Sequence, residues 1–337
     1  MAGIVVTLVS EQAAPNIRFL KEFRKDADLF IFLSTEEMEQ HRKTQYLCSA
    51  LNISRKKTIT LKIPAYRIDQ IEEKLLDLEL DEHDHYFVNI TGGTKPMSIA
   101  TLSFFTAFDN ARIYYLPIGK EEYQRIYPRP LEAYTFQRKI TLREYVSSYG
   151  LKIISREDTP SRRIEVAQRL MEKVLATANP ADIPEITEAQ QRENTADREY
   201  FGGRWFEEYV YWTIKEGLGL KKNEIAYQLK VKKEASENEF DVMFIHQDEL
   251  VLIECKAFYG SANLKQKTEE AFYRLAALEN DFGISARTVF MTTLDMKKQN
   301  DKEYQTLKKR AKSRNIVFLQ KQDLFGNGFL KKIVKEG

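Results

Sequence analysis

The stretch Glu239–Ala257, EFDVMFIHQDELVLIECKA, decides how the carboxyl-terminal half of this chain is read. Phe240 to Ile245 is rich in β-formers and Leu250 to Lys256 is a second apolar run, with polar His246 to Glu249 between them. Two such runs joined by a short polar segment predict a β-hairpin. The charges interrupt it. Asp241 falls inside the first strand, and Glu254 and Lys256 inside the second. Side chains alternate along a strand, so Glu254 and Lys256 share one face and Cys255 takes the other, where it is read as a core residue. Pairing the strands brings Asp241 towards the same face.

Two carboxylates and a lysine on an apolar sheet are costly unless they are paired or hold a metal. The plainer reading is a salt bridge at a strand end. The functional reading is a site for a hard divalent ion, Mg²⁺ or Mn²⁺, which carboxylate oxygens suit. Such an ion activates water and stabilises a phosphodiester transition state, and a neighbouring lysine orients that water.

The pattern D-x12-E-x-K, here Asp241, Glu254 and Lys256, resembles the PD-(D/E)xK nuclease superfamily. The resemblance implies that Asp241 and Glu254 are metal ligands and Lys256 is catalytic. The usual Pro-Asp dipeptide is absent, since Phe240 precedes the Asp. Upstream, Gly202–Trp212, GGRWFEEYVYW, has helical spacing at Trp205, Phe206, Tyr209 and Val210. In the superfamily a helix before the hairpin often adds an acid to the metal site. By resemblance to a G-x-W-[LF]-E pattern that acid is Glu207, with Glu208 as runner-up. The plainer reading of either is an exposed helix glutamate. After the hairpin, 264–280 reads as a helix, 286–291 as a strand, 301–313 as a basic helix and 315–319 as a strand, which fits a mixed sheet flanked by helices.

The amino-terminal half has a different rhythm. Runs at 3–9, 28–34, 57–63, 85–90 and 111–117 read as strands. Helical segments at 17–25, 36–50, 66–80 and 97–108 separate them. Alternation of this kind predicts a parallel, doubly wound sheet, with ligands at the carboxyl ends of its strands. Two loops fall there. Asn89–Met97, NITGGTKPM, offers two glycines for close backbone approach, hydroxyls from Thr91 and Thr94, and the Lys95 ammonium at a helix start that favours phosphate. It fits neither the Walker A spacing nor GxGxxG. Its plainer reading is a tight turn capped by Thr94. The loop holding Ser10, Glu11, Gln12 and Asn16 follows the first strand and shares that sheet edge.

A Rossmann-like domain with LVSEQAAPN after strand one and NITGGTKPM after strand four resembles a CARF domain. With the nuclease pattern behind it, the chain is similar to the CARF-nuclease ancillary effectors of type III CRISPR systems. The resemblance covers about the first 140 residues and roughly the last 140. It implies a cyclic oligoadenylate activator, most often cyclic tetra-adenylate, bound across a homodimer. The expected activator contacts are Ser10, Glu11, Gln12, Asn16, Thr91, Gly92, Gly93, Thr94 and Lys95.

Length and composition agree with this division. A chain of 337 residues with 43% hydrophobic residues suits two globular domains. No apolar run reaches the ~20 residues of a membrane span. The amino terminus lacks a basic signal-peptide region, and only Cys48 and Cys255 are present, so a cytoplasmic protein without disulfides is expected. Net charge is only +2, but Met296–Glu336 carries 12 Lys or Arg against 4 acids, a segment suited to phosphate backbone or to a solvated face. His83 and His85 have no third ligand nearby and are not read as a metal site.

The expectation is an α/β chain in three parts: an amino-terminal Rossmann-like CARF sensor (1–140), a partly helical connector (141–197) and a restriction-endonuclease-like PD-(D/E)xK domain (198–337). It is expected to cleave DNA, RNA or both with Mn²⁺ or Mg²⁺ once activated, without a membrane partner. A second reading is a sensor or regulator whose nuclease-like domain binds nucleic acid without cutting. A third is a nucleotide-processing enzyme acting at the glycine loop.

Overall fold

The computed structural model describes residues 1–117, 119–157, 164–177, 179–191, 194–259, 263–279, 282 and 286–334. They form two compact units, Met1–Lys152 and Ile153–Glu336.

In the first unit the strands are β1 (Gly3–Leu8), β2 (Leu29–Ser34), β3 (Thr58–Lys62), β4 (His85–Asn89), β5 (Ala111–Tyr115), β6 (Glu122–Tyr127) and β7 (Glu132–Thr135). Their order is β3-β2-β1-β4-β5-β6-β7. The first five run parallel, and β6 and β7 extend the edge antiparallel. Strand order reverses between β1 and β4, so the loops after these two strands flank the crevice in which such sheets bind ligands. Ile4, Val6, Leu8, Ile31, Leu33, Tyr86 and Val88 are buried with Met97, Ala100 and Phe105 of the helix Lys95–Phe105. The segment 36–50, expected as one helix, is two, Glu36–Gln40 and Lys43–Leu51. Arg42 between them has φ 55°, which no continuous right-handed helix accommodates.

The second unit holds β8 (Lys152–Glu157), β9 (Ile225–Lys233), β10 (Ser236–His246), β11 (Glu249–Lys256), β12 (Ala286–Thr292) and β13 (Val317–Leu319), in the order β13-β12-β11-β10-β9-β8. β10 and β11 form the expected hairpin. Gln247 and Asp248 turn it with φ 47° and 62°, the pair of positive values a two-residue turn between twisted strands requires. The helix Trp205–Gly217 covers one face, where Trp205, Phe206 and Val210 pack with Val242, Phe244, Ile253 and Cys255. The helices Leu264–Glu279 and Asp301–Ser313 meet Phe290 in a separate cluster.

The segment expected as a partly helical connector, 141–197, is divided between the residues of the two units. Its helix Leu142–Ser148 lies within the first unit's residues. Its later part enters the second core through Leu170, Met171, Val174, Ile183 and Ile186. Among the described residues no helix is long and apolar enough to cross a membrane.

Candidate active site and activator pocket

The hairpin register places the acidic residues. Val242 pairs with Ile253, so Asp241, one position further out, stands across from Glu254. Both are buried, Asp241 at 9% and Glu254 at 3% exposure, while Cys255 points into the opposite core. Asp241 Oδ2 accepts the backbone N–H of Cys255 at 2.7 Å, which locks the carboxylate against the sheet. Lys256 Nζ lies 2.6 Å from Glu254 Oε1 and 3.9 Å from Asp241 Oδ2. Arg274, from the helix Leu264–Glu279, holds the other oxygen of Glu254. Sequence reading had not singled out Arg274, because only the packing of that helix brings it to the sheet.

Glu207, not Glu208, faces this group. The π-helical turn Tyr200–Arg204 precedes its helix. Trp205 Nε1 donates to Tyr259 Oη at 2.6 Å, and Tyr259 Oη donates to the Phe201 carbonyl at 2.7 Å, pinning the helix start beside the chain that leaves β11. Gln228 Nε2 donates to Glu207 Oε2 at 3.0 Å. Burial first, then the charge of Asp241, pushes the Glu207 carboxyl up to about 7. Burial likewise raises Asp241, against the pull of Lys256. Glu208 is buried at 1% on the core side of the helix.

Burial holds protons on both carboxylates, and the charge of Asp241 adds to this at Glu207; a divalent cation relieves that state, and their hard oxygens suit Mg²⁺ or Mn²⁺. Glu254 is the exception, since both of its oxygens are engaged by cations. No group of three His, Cys, Asp or Glu among the described residues stands ready to hold a metal. Asp241 and Glu207 offer hard oxygens of the kind such an ion takes, and Glu254 would join them only by releasing Lys256 or Arg274.

The first unit brings most of the expected activator contacts together. Ser10, Glu11, Gln12, Thr91, Gly92 and Gly93, with Pro15, line one open cavity of about 190 Å³. The close packing of the two loops requires Gly92: a Cβ there would stand 2.4 Å from the Leu8 carbonyl oxygen. Gly93 has φ 72°, a conformation side chains disfavour. Thr91 Oγ1 accepts the Leu116 N–H at 2.8 Å, tying the loop to the end of β5. Glu11 is paired with Lys43 at 2.7 Å and His41 at 3.4 Å; burial works to raise its carboxyl, but these partners hold it below its ordinary value.

Three expected contacts do not line this cavity. Asn16 is fully buried, accepting from Thr7 Oγ1 at 2.8 Å in a network with Asn89 that braces the loops from beneath. Thr94 caps the following helix and donates to the Ala65 carbonyl, as its plainer reading held. Lys95 is the first residue of that helix and is exposed.

Two family models match the chain, the Card1 CARF domain over residues 4–145 and the Card1-like endonuclease domain over residues 194–336. The chain belongs to the Card1-like CARF nucleases. No curated protein matches it by sequence. Solved structures share the fold of this Card1-like protein at low identity. Can2 from Sulfobacillus thermosulfidooxidans, in complex with cyclic tetra-adenylate, superposes with a TM-score of 0.76 at 20% identity, covering 99% of this chain and 100% of its own. Protein VC1899 from Vibrio cholerae gives 0.74 at 17% identity over 98% and 96%. A type III CRISPR defence DNA nuclease activated by cyclic oligoadenylate gives 0.57 at 17% identity, over 87% of this chain and 45% of that one.

Proposed function

We propose that this Card1-like protein is a metal-dependent nuclease of type III CRISPR antiviral defence, cutting phosphodiester bonds of DNA, RNA or both in the cytoplasm. Cyclic tetra-adenylate, bound by the amino-terminal units of a homodimer, switches it on. The observation that carries this reading is the convergence of Asp241, Glu254 and Lys256 at one edge of the hairpin, with Lys256 Nζ 2.6 and 3.9 Å from the two carboxylates.

Asp241 and Glu207 are the proposed holders of Mg²⁺ or Mn²⁺, with Glu254 as the third. When bound, the ion supplies a more acidic water and offsets charge growing on the phosphate. Lys256 holds the attacking water in line and adds positive charge beside the phosphate. The Cys255 amide keeps one oxygen of Asp241 fixed, which would leave the other to hold the ion.

Support for the activator comes from the cavity at the ends of β1 and β4, where backbone amides of the glycine loop and the start of a helix meet. Its volume of about 190 Å³ falls short of ordinary small-ligand sites, so one copy offers only part of a site for a ring of four nucleotides. A second copy across a twofold axis completes it. The activator acts through its higher affinity for the active arrangement of the dimer.

The test is incubation with labelled RNA and DNA, with Mn²⁺ or Mg²⁺, across a panel of cyclic oligoadenylates. Cleavage that needs both metal and cyclic tetra-adenylate is expected. Polynucleotide binding without cleavage under every condition leaves a non-cutting regulator, and turnover of a small nucleotide alone leaves an enzyme acting at the glycine loop.

A further inference from the structure

The ladder between β9 and β10 breaks where the site is built. Phe240 pairs with Leu229 and Val242 with Tyr227, but the register passes over Gln228 and Asp241 between them. Gln228 has φ 45°, a left-handed value that a side chain with a Cβ adopts at a cost. This is a strand interior, where nothing about the turn chemistry calls for such a conformation.

The conformation gives the Gln228 amide two partners on the helix Trp205–Gly217 and its lead-in turn. Arg204 Nη2 donates to Gln228 Oε1 at 2.6 Å, and Gln228 Nε2 donates to Glu207 Oε2 at 3.0 Å. The orientation of this amide is settled by chemistry. A guanidinium only donates, so the amide oxygen must face Arg204 and the NH₂ must face Glu207. Arg204, Gln228 and Glu207 therefore form a directed chain, cation to amide to carboxylate. It fixes Glu207 Oε2 on the carboxylate whose charge couples to Asp241.

We infer that Gln228 is a positioning residue for the metal site: its left-handed backbone aims the side-chain amide at Glu207 and presents that carboxylate to the ion shared with Asp241. The inference rests on the proposed reading of Glu207 as a metal ligand. Groups that orient a ligand from behind commonly change metal affinity by roughly 10- to 100-fold when removed.

The experiment measures Mn²⁺ binding to the full chain by the electron paramagnetic resonance signal of free Mn²⁺, together with thermal melting of the metal-free protein. Gln228→Gly removes the amide but accepts φ 45° without steric cost. Gln228→Asn tolerates the same backbone but is one methylene too short to span Arg204 and Glu207. Both variants are expected to fold, as a single melting transition of the metal-free protein reports, and to bind Mn²⁺ roughly 10- to 100-fold more weakly. Should one of them fail to fold, the other tests the same amide. Asp241→Asn serves as the arm that reports the metal reading itself. Wild-type Mn²⁺ affinity in either folded Gln228 variant, alongside a loss in Asp241→Asn, overturns the role of Gln228 and leaves the metal site standing. No Mn²⁺ binding by the wild type, or no loss in Asp241→Asn, overturns the metal reading and the inference with it.

Discussion

Gly92→Ala is the sharpest probe of the activator pocket. The added Cβ would lie 2.4 Å from the Leu8 carbonyl oxygen and 3.2 Å from Ser10 Oγ. The hydroxyl can rotate away. The carbonyl cannot, because Leu8 ends a strand paired on both sides by β2 and β4. The loop Thr91–Gly93 must therefore move off β1, which opens the wall of the cavity. Crowding of a packed site costs about 1 to 3 kcal/mol. If the loop must return to its present place to hold the activator, that cost falls on binding, and affinity drops by roughly 5- to 150-fold. Calorimetric titration of cyclic tetra-adenylate into both proteins measures it, with cleavage at saturating activator as the control for intact chemistry. If the crowding is instead borne by the free protein, the melting temperature falls by about 2 to 4 °C per kcal/mol. An unchanged titration midpoint together with an unchanged melting temperature would refute the reasoning, since the crowding would then have no consequence.

Glu254→Ala or Lys256→Ala should abolish cleavage while leaving activator affinity at the wild-type value; cleavage at the wild-type rate in either variant removes these residues from the chemistry. Lys95→Ala should raise the activator concentration for half-maximal cleavage by roughly ten- to a hundredfold, as loss of about 1.5 to 3 kcal/mol from a charge-assisted contact implies, and should keep the plateau. A normal midpoint with a lost plateau would place Lys95 in signal transmission instead. The Glu207 carboxyl, raised from 4.5 to about 7, binds its proton more tightly folded than unfolded, so its contribution to stability is complete below about 4.5 and is lost as pH rises towards 7. Metal-free wild type should accordingly lose more melting temperature between pH 4.5 and 7 than Glu207→Gln does, and parallel curves for the two would refute the shift.

Much of the candidate site was legible because it rests on local rules. A period of two in β10 and β11 assigns Asp241, Glu254 and Lys256 to one face and Cys255 to the other. The glycine loop was legible for a similar reason: two glycines between a strand and a helix mark a close backbone approach, and Gly92 meets the Leu8 carbonyl. The three strands that went unread show where local rules fail. β9 alternates Ile225, Tyr227, Leu229 and Val231 with Gln228, Lys230 and Lys232 between them, so its period-two signal was present in the sequence. β7 is four residues long and mostly exposed, and β8 carries no clean alternation.

Sequence by itself determined the two-part α/β design, the hairpin and the identity of its charged residues, since strand period and turn chemistry are properties of neighbouring residues. Only the tertiary structure decided which groups each charge meets. Arg274 reaches Glu254 from 20 positions away, Gln228 reaches Glu207 from 21, and both depend on how a helix packs against the sheet. The same packing separated two glutamates that adjacent positions made equivalent, turning Glu207 towards Asp241 and Glu208 into the core. It also drew Asn16 beneath the loops, away from the cavity it was expected to line. Burial, charge coupling and hydrogen-bond partners depend on distances between segments remote in sequence, and a periodic pattern carries no record of those distances.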